Sequence, residues 1–137
     1  MIKGEERMVE DLDCIIYTEA SRDTLVKILH ELSFEEDNGC FQKNHNEIII
    51  FKNYDRNPEK RSEFPDGFLY FQLYLEISCD ESSQIKIDDQ ASFISLILKE
   101  FWSKNIPAVA SCDYEHLLAN NGGYKSKEIP WPAPDAS

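Results

Sequence analysis

The sequence predicts an α+β sandwich, an antiparallel sheet with two helices on one face. Three observations predict it. Gly67 to Cys79 (GFLYFQLYLEISC) alternates, with Leu69, Phe71, Leu73, Leu75, Ile77 and Cys79 on one parity. Side chains in a strand alternate faces, so this reads as one long strand with an aliphatic side. Two stripes, Leu25–Ile28–Leu29–Leu32 and Ile94–Ile97–Leu98–Phe101, have the spacing of core-facing helices. The helical and strand patterns also intermingle along the chain, which favours one mixed domain over two separate ones.

Taken in order, residues 1–11 are a polar lead-in. Leu12 to Thr18 reads as a strand, with Leu12, Cys14 and Ile16 on one face and Asp13, Ile15 and Tyr17 on the other. Ser21 can cap a helix running to Leu32, with Asp23 favoured in its first turn. Asn38-Gly39 marks a turn. Cys40 to Lys43 and Glu47 to Tyr54 read as a hairpin. Asp55 to Asp66, with two prolines and many charges, reads as a loop. After the long strand, Asp88 or Asp89 can cap a second helix over residues 90–104, stopped by Asn105 and Pro107. Ala108 to Cys112 reads as a short strand, and Tyr114 to Ala119 as a helical turn. Residues 120–137 read as an extended tail, with a turn at Asn121-Gly122-Gly123 and a proline-rich end that docks, if at all, through Trp131.

This is the β-α-β-β-α-β order of ferredoxin-like sandwiches, here with an extra hairpin. Right-handed crossovers put both helices on one side. The other face, with Phe68, Tyr70, Tyr74, Glu76 and Tyr17, is then left open. The tail or a second copy could cover it, as could another partner or a small ligand.

The chain has 137 residues, enough for one domain with its own core. Acids outnumber bases 26 to 14, a net charge of −12. Residues 1–50 hold 12 acids against 5 bases and residues 51–137 hold 14 against 9, so the acidity belongs to the whole domain. Such a field repels nucleic acid and anionic membranes and attracts basic proteins. The opening MIKGEERMVEDLD is too charged for a signal peptide, and no apolar run reaches membrane-spanning length. A cytoplasmic protein is therefore expected. Cys14, Cys40, Cys79 and Cys112 form no C-x-x-C pair and are expected as free thiols.

Asp66 to Leu73 (DGFLYFQL) resembles the aromatic strand of RNA-recognition-motif domains, with Gly67, Phe68 and Tyr70 matching its glycine and stacking rings. Asp66 stands where that family carries Lys or Arg, and the net charge opposes phosphate. No nucleic-acid partner is therefore expected. The run Cys112-Asp113-Tyr114-Glu115-His116 offers acid, base and thiol groups, but no set of three converging ligands, so no metal is expected. His30 and His45 belong to a helix end and a turn. Glycines are too scattered for a phosphate loop, and no cofactor is expected.

Size, acidity and element order resemble the small acidic immunity proteins of bacterial toxin systems. The resemblance implies a non-enzymatic protein that neutralises a basic toxin by binding it. Anchors would be Phe68, Tyr70 and Tyr74, with Glu76, Asp80, Glu81 and Asp113 as the steering carboxylates. The alternative is a regulatory domain that dimerises through its sheet and holds a small molecule among Tyr17, Tyr70 and Tyr74.

Overall fold

The computed structural model describes residues 12–80, 82 and 84–133. The polar lead-in and the last residues of the tail lie outside them. Among the described residues six strands and two helices follow in order: β1 (Cys14–Thr18), α1 (Arg22–Glu31), β2 (Glu35–Asp37), β3 (Cys40–Lys43), β4 (Asn46–Lys52), β5 (Leu73–Cys79), α2 (Ile87–Ser103) and β6 (Ala108–Ser111). The strands form one sheet in the order β2-β3-β4-β5-β1-β6. Every neighbouring pair is antiparallel. The α+β class is as expected. The expected hairpin of β3 and β4 is present, and the sheet is one strand wider than the pattern suggested, because β2 pairs on β3 at its edge.

The added edge follows from local turn chemistry. Asn38 and Gly39 both have positive φ (53° and 82°), as do Asn44 and His45 (51° and 64°). Two-residue turns of this kind match the twist of paired strands. They fold Glu35–Asp37 onto Cys40–Gln42, and Cys40–Lys43 onto Asn46–Ile49. The acid run Glu35-Glu36-Asp37 is therefore an exposed edge strand, whose like charges discourage pairing with another chain.

Helix α1 begins where expected: Ser21 Oγ accepts from the Thr24 amide at 3.2 Å. Helix α2 begins earlier than expected. Lys86 occupies the cap without a side-chain bond, so Asp88 and Asp89 lie inside the first turn, where carboxylates favour the helix dipole. Leu25, Ile28 and Leu29 of α1 and Ile94, Ile97, Leu98 and Phe101 of α2 bury against Ile16, Ile48, Leu75 and Ile77 of the sheet. Burying each such side chain stabilises by about 1.5–3 kcal/mol, so this layer dominates the fold.

One polar pair sits beside that core. Asn46 Nδ2 donates to Gln90 Oε1 at 3.0 Å, and Gln90 Nε2 donates to Asn46 Oδ1 at 2.8 Å. Both residues are buried. Gln90→Leu alone strands Asn46 Oδ1, while Asn46 Nδ2 keeps the Asn44 carbonyl at 3.2 Å, and is expected to cost about 1–3 kcal/mol. The double change Asn46→Leu/Gln90→Leu is expected to cost less than the two singles added together. Urea denaturation of the four proteins of the cycle measures this, and strict additivity would refute the coupling.

The largest departure concerns Gly67 to Cys79. Only Leu73–Cys79 is strand, and Asp66–Tyr70 is a 3₁₀ turn. Gly67 explains the break. A Cβ there would lie 2.6 Å from the Arg61 carbonyl and 2.7 Å from that of Lys60, so two backbone segments press together where only glycine fits. The 3₁₀ turn and the residue after it put Phe68 and Phe71 on the same side, while Leu69 faces out, 43% exposed. The turn expected at Asn121-Gly122-Gly123 is present, all three with positive φ, and residues 124–128 continue as turns where an extended tail was expected.

Candidate functional site

Residues not turned toward the helices form the second face of the sheet. The register sets them in rows. Val109, Tyr17, Tyr74 and Phe51 are successive partners across β6, β1, β5 and β4. The next row is Ser111, Ile15, Glu76, Ile49 and Cys40.

The aromatic row is partly roofed. Phe68, Phe71, Val109 and Ile129 form a second small core, with Tyr17, Trp102, Tyr124 and Trp131 around it. The loop after β4 and the tail meet there. Asn53 ties the loop down: its Nδ2 donates to the carbonyls of Leu69 (3.0 Å) and Phe71 (2.7 Å). Trp131 Nε1 donates to the Ser62 carbonyl at 2.9 Å, and Tyr124 Oη donates to Asp66 Oδ1 at 2.8 Å. The tail thus closes over one half of this face.

The other half is open. Phe51 stacks on Tyr74 (centroids 5.3 Å apart), Tyr74 meets Tyr17 at 5.8 Å, and Tyr17 meets Phe68 edge-on at 5.4 Å. A groove of about 610 Å³ runs beside this chain, lined among others by Ile15, Tyr17, Tyr54, Tyr70, Tyr74 and Glu76. Tyr54 at its rim is 86% exposed, and Ile49 beyond it is 37% exposed. Partial burial, with Tyr74 and Asp55 close by, holds the Tyr17 phenol above its ordinary range. Ile15 and Glu76 continue into a second hollow of about 490 Å³, which Asp13, Ser111 and Asp113 also line.

The structure brings Tyr17, Tyr70, Tyr74 and Glu76 together in one groove. Asp113 lies at the adjoining hollow. Phe68 is corrected: at 8% exposure it supports the groove from beneath and presents no anchor. Tyr70 is half-covered, with Lys60 Nζ 5.2 Å from its ring centre. Asp80 lies in a separate hollow by the β3–β4 turn, with His45, Lys43 and Ser78. Its carboxylate accepts from Ser82 Oγ (2.8 Å) and the Ser82 amide (3.0 Å), and these bonds lower its pKa. Glu81 lies outside the described residues.

Ile15, Ile49, Phe51 and Tyr54 are members of this surface that the sequence reading passed over. For Ile49 the signal was its place between Ile48 and Ile50, opposite in parity to both. The Cys112–His116 run does not converge. Glu115 Oε2 accepts from the Cys112 amide at 3.1 Å, and His116 is exposed on the following 3₁₀ turn. Among the described residues no group of three or more His, Cys, Asp or Glu side chains could hold a metal ion. No described helix is long and apolar enough to cross a membrane. Comparison with protein-family models, curated proteins and solved structures returned no match.

Proposed function

We propose that this is a non-enzymatic binding protein that engages a basic protein partner through the open half of its sheet face, in the manner of an immunity protein neutralising a toxin. The observation that carries the reading is the groove in which Tyr17, Tyr74, Tyr54 and Ile15 lie beside Glu76, with Asp13 and Asp113 at the adjoining hollow. Aromatic rings give desolvated anchors at low entropic cost, and the carboxylates around them select and steer a cationic partner. A net charge of −12 extends that attraction over the whole surface. The unit β1-α1-β4-β5-α2-β6 is read as a ferredoxin-like core to which β2 and β3 add an acidic edge. A cytoplasmic setting accords with four free cysteines.

Titrating the protein against purified toxin nuclease domains of pI above about 9 tests the reading. One domain is expected to bind, with affinity falling as salt rises. Tyr74→Ala is expected to weaken that complex about tenfold or more at every salt concentration. Glu76→Lys should act mainly by slowing association. Binding that ignores both substitutions, or no binding across the panel, would overturn it.

A second reading is favoured by one observation. Tyr17, Tyr70 and Tyr74 line a groove of about 610 Å³, within the size range of small-molecule sites. A stable homodimer in light scattering, lost on Tyr74→Asp, would favour this regulatory, sheet-paired alternative.

A further inference from the structure

Two of the four cysteines face each other at one end of the sheet. The β1–β6 register pairs Ile16 with Ala110 and Ile15 with Ser111. One further step puts Cys14 opposite Cys112. The Cys112 amide donates to Glu115 Oε2 rather than across the sheet. Opposed residues without backbone bonds between them are the closest in an antiparallel sheet, with Cα atoms about 4.5 Å apart, inside the range of about 4.4–6.8 Å that a disulfide spans. Both residues border the helix-side core, and the Cys14 thiol lies within 3.8 Å of the Ile15 carbonyl. Cys14 is buried and Cys112 is half-exposed.

We propose that Cys112 and Cys14 form a thiol-modification site, in which Cys112 captures a low-molecular-weight disulfide such as glutathione disulfide and Cys14 resolves the adduct. In the first step the Cys112 thiolate attacks one sulfur of the small disulfide. A Cys112–sulfur bond forms, the original sulfur–sulfur bond breaks, and one small thiolate leaves and takes a proton from water. In the second step Cys14 gives up its proton to solvent and attacks Cys112 Sγ. The Cys14–Cys112 bond forms and the second small thiolate leaves. Two protein thiols are oxidised and one small disulfide is reduced to two thiols. Excess small thiol reverses both steps.

The environment assigns the two roles. The hydrogen bond from Cys14 lowers the Cys112 thiol, outweighing burial and the nearby Glu115 and Asp113. The same bond, then burial, pushes Cys14 well up. The outer sulfur is therefore the readier nucleophile and the inner one waits. Cys40 provides a contrast, since burial pushes its thiol up to about 11. The Cys112 thiol therefore carries a larger thiolate fraction than the Cys40 thiol. Its lower intrinsic nucleophilicity returns only part of that advantage, so Cys112 is expected to react faster than Cys40.

The test begins with the unaltered protein, reduced and then exposed to glutathione disulfide, with peptide mapping over time. Cys112 is expected to react faster than Cys40. The adduct should then give way to a Cys14–Cys112 cross-link and lose its glutathione. In Cys14→Ala the glutathione is expected to remain on Cys112. The proposal is overturned if Cys40 or Cys79 reacts as fast as Cys112. It is equally overturned if the unaltered protein keeps glutathione on Cys112 while Cys14 stays a free thiol. The time course needs no substituted protein, so poor folding of the variant leaves the test intact.

Discussion

Asn53→Leu is expected to destabilise the protein by about 3–5 kcal/mol, more than its modest change in volume would suggest. Asn53 is buried just past the end of β4. Its Nδ2 supplies the Leu69 and Phe71 carbonyls, and its Oδ1 accepts from the Asp55 amide at 3.0 Å. Leucine fills similar space and strands all three groups. A buried polar group without a partner costs about 1–3 kcal/mol. The Asp55 amide borders solvent and recovers water, so the two carbonyls carry most of the loss. Asn53→Asp separates hydrogen bonding from packing. Its carboxylate would face two carbonyls in a buried site, which raises its folded pKa above the unfolded value of about 3.9. Because the folded pKa is the higher one, the variant is most stable below the unfolded pKa. It should lose stability as pH rises through the folded value. Urea denaturation of both variants from pH 4 to pH 8 checks this. A cost under about 1 kcal/mol for the leucine variant would show that the loop is held by other means.

The parts of this architecture legible in the sequence are those set by local period. The stripes at Leu25–Leu29 and Ile94–Phe101 show which helix faces are buried, because their residues share one core with those of the sheet. Gly67 to Cys79 misled for a physical reason. Alternation placed Phe71 with Leu75 and Ile77, and strand-like parity also fits a short 3₁₀ turn followed by a strand. Pro65 and Gly67 were the available signals for a break. Phe71 in fact joins the second core with Phe68, three residues away. The edge strand Glu35–Asp37 carries no apolar residue, so no hydrophobic pattern could reveal it. Backbone pairing alone, enforced by the Asn38-Gly39 turn, makes it a strand.

The candidate site was legible in part. Tyr17, Tyr74 and Glu76 share a groove because register, like parity, is a property of strands, whereas Tyr70 reaches it from the 3₁₀ turn. Which rings are roofed depends on contacts between distant parts of the chain. Trp131 meets Ser62 across 69 positions. Cys14 and Cys112 are brought together by pairing of the first and last strands. No local period encodes either meeting.

Trp131→Ala is therefore the change that should most directly lift the roof without touching the helix-side core. The Trp131 ring meets Phe64 edge-on at 5.2 Å and Phe71 at 5.6 Å, while its Nε1 holds the Ser62 carbonyl. Truncating a buried tryptophan costs about 3–5 kcal/mol. Trp131 is only partly buried, so a loss of about 2–4 kcal/mol is expected. Trp131→Phe keeps the ring contacts and gives up the hydrogen bond, and is expected to cost about 1 kcal/mol. Hydrogen exchange reads the location of the effect. The Asn57 and Arg61 amides, bonded to the Tyr70 and Asn57 carbonyls, should exchange faster in Trp131→Ala. Amides of β4 and β5 should be unchanged. Equal acceleration in loop and sheet would mean that the two faces unfold as one cooperative unit. Selective acceleration would mean that the helix-side core alone holds the sheet, and that the aromatic face is an attached layer free to serve recognition.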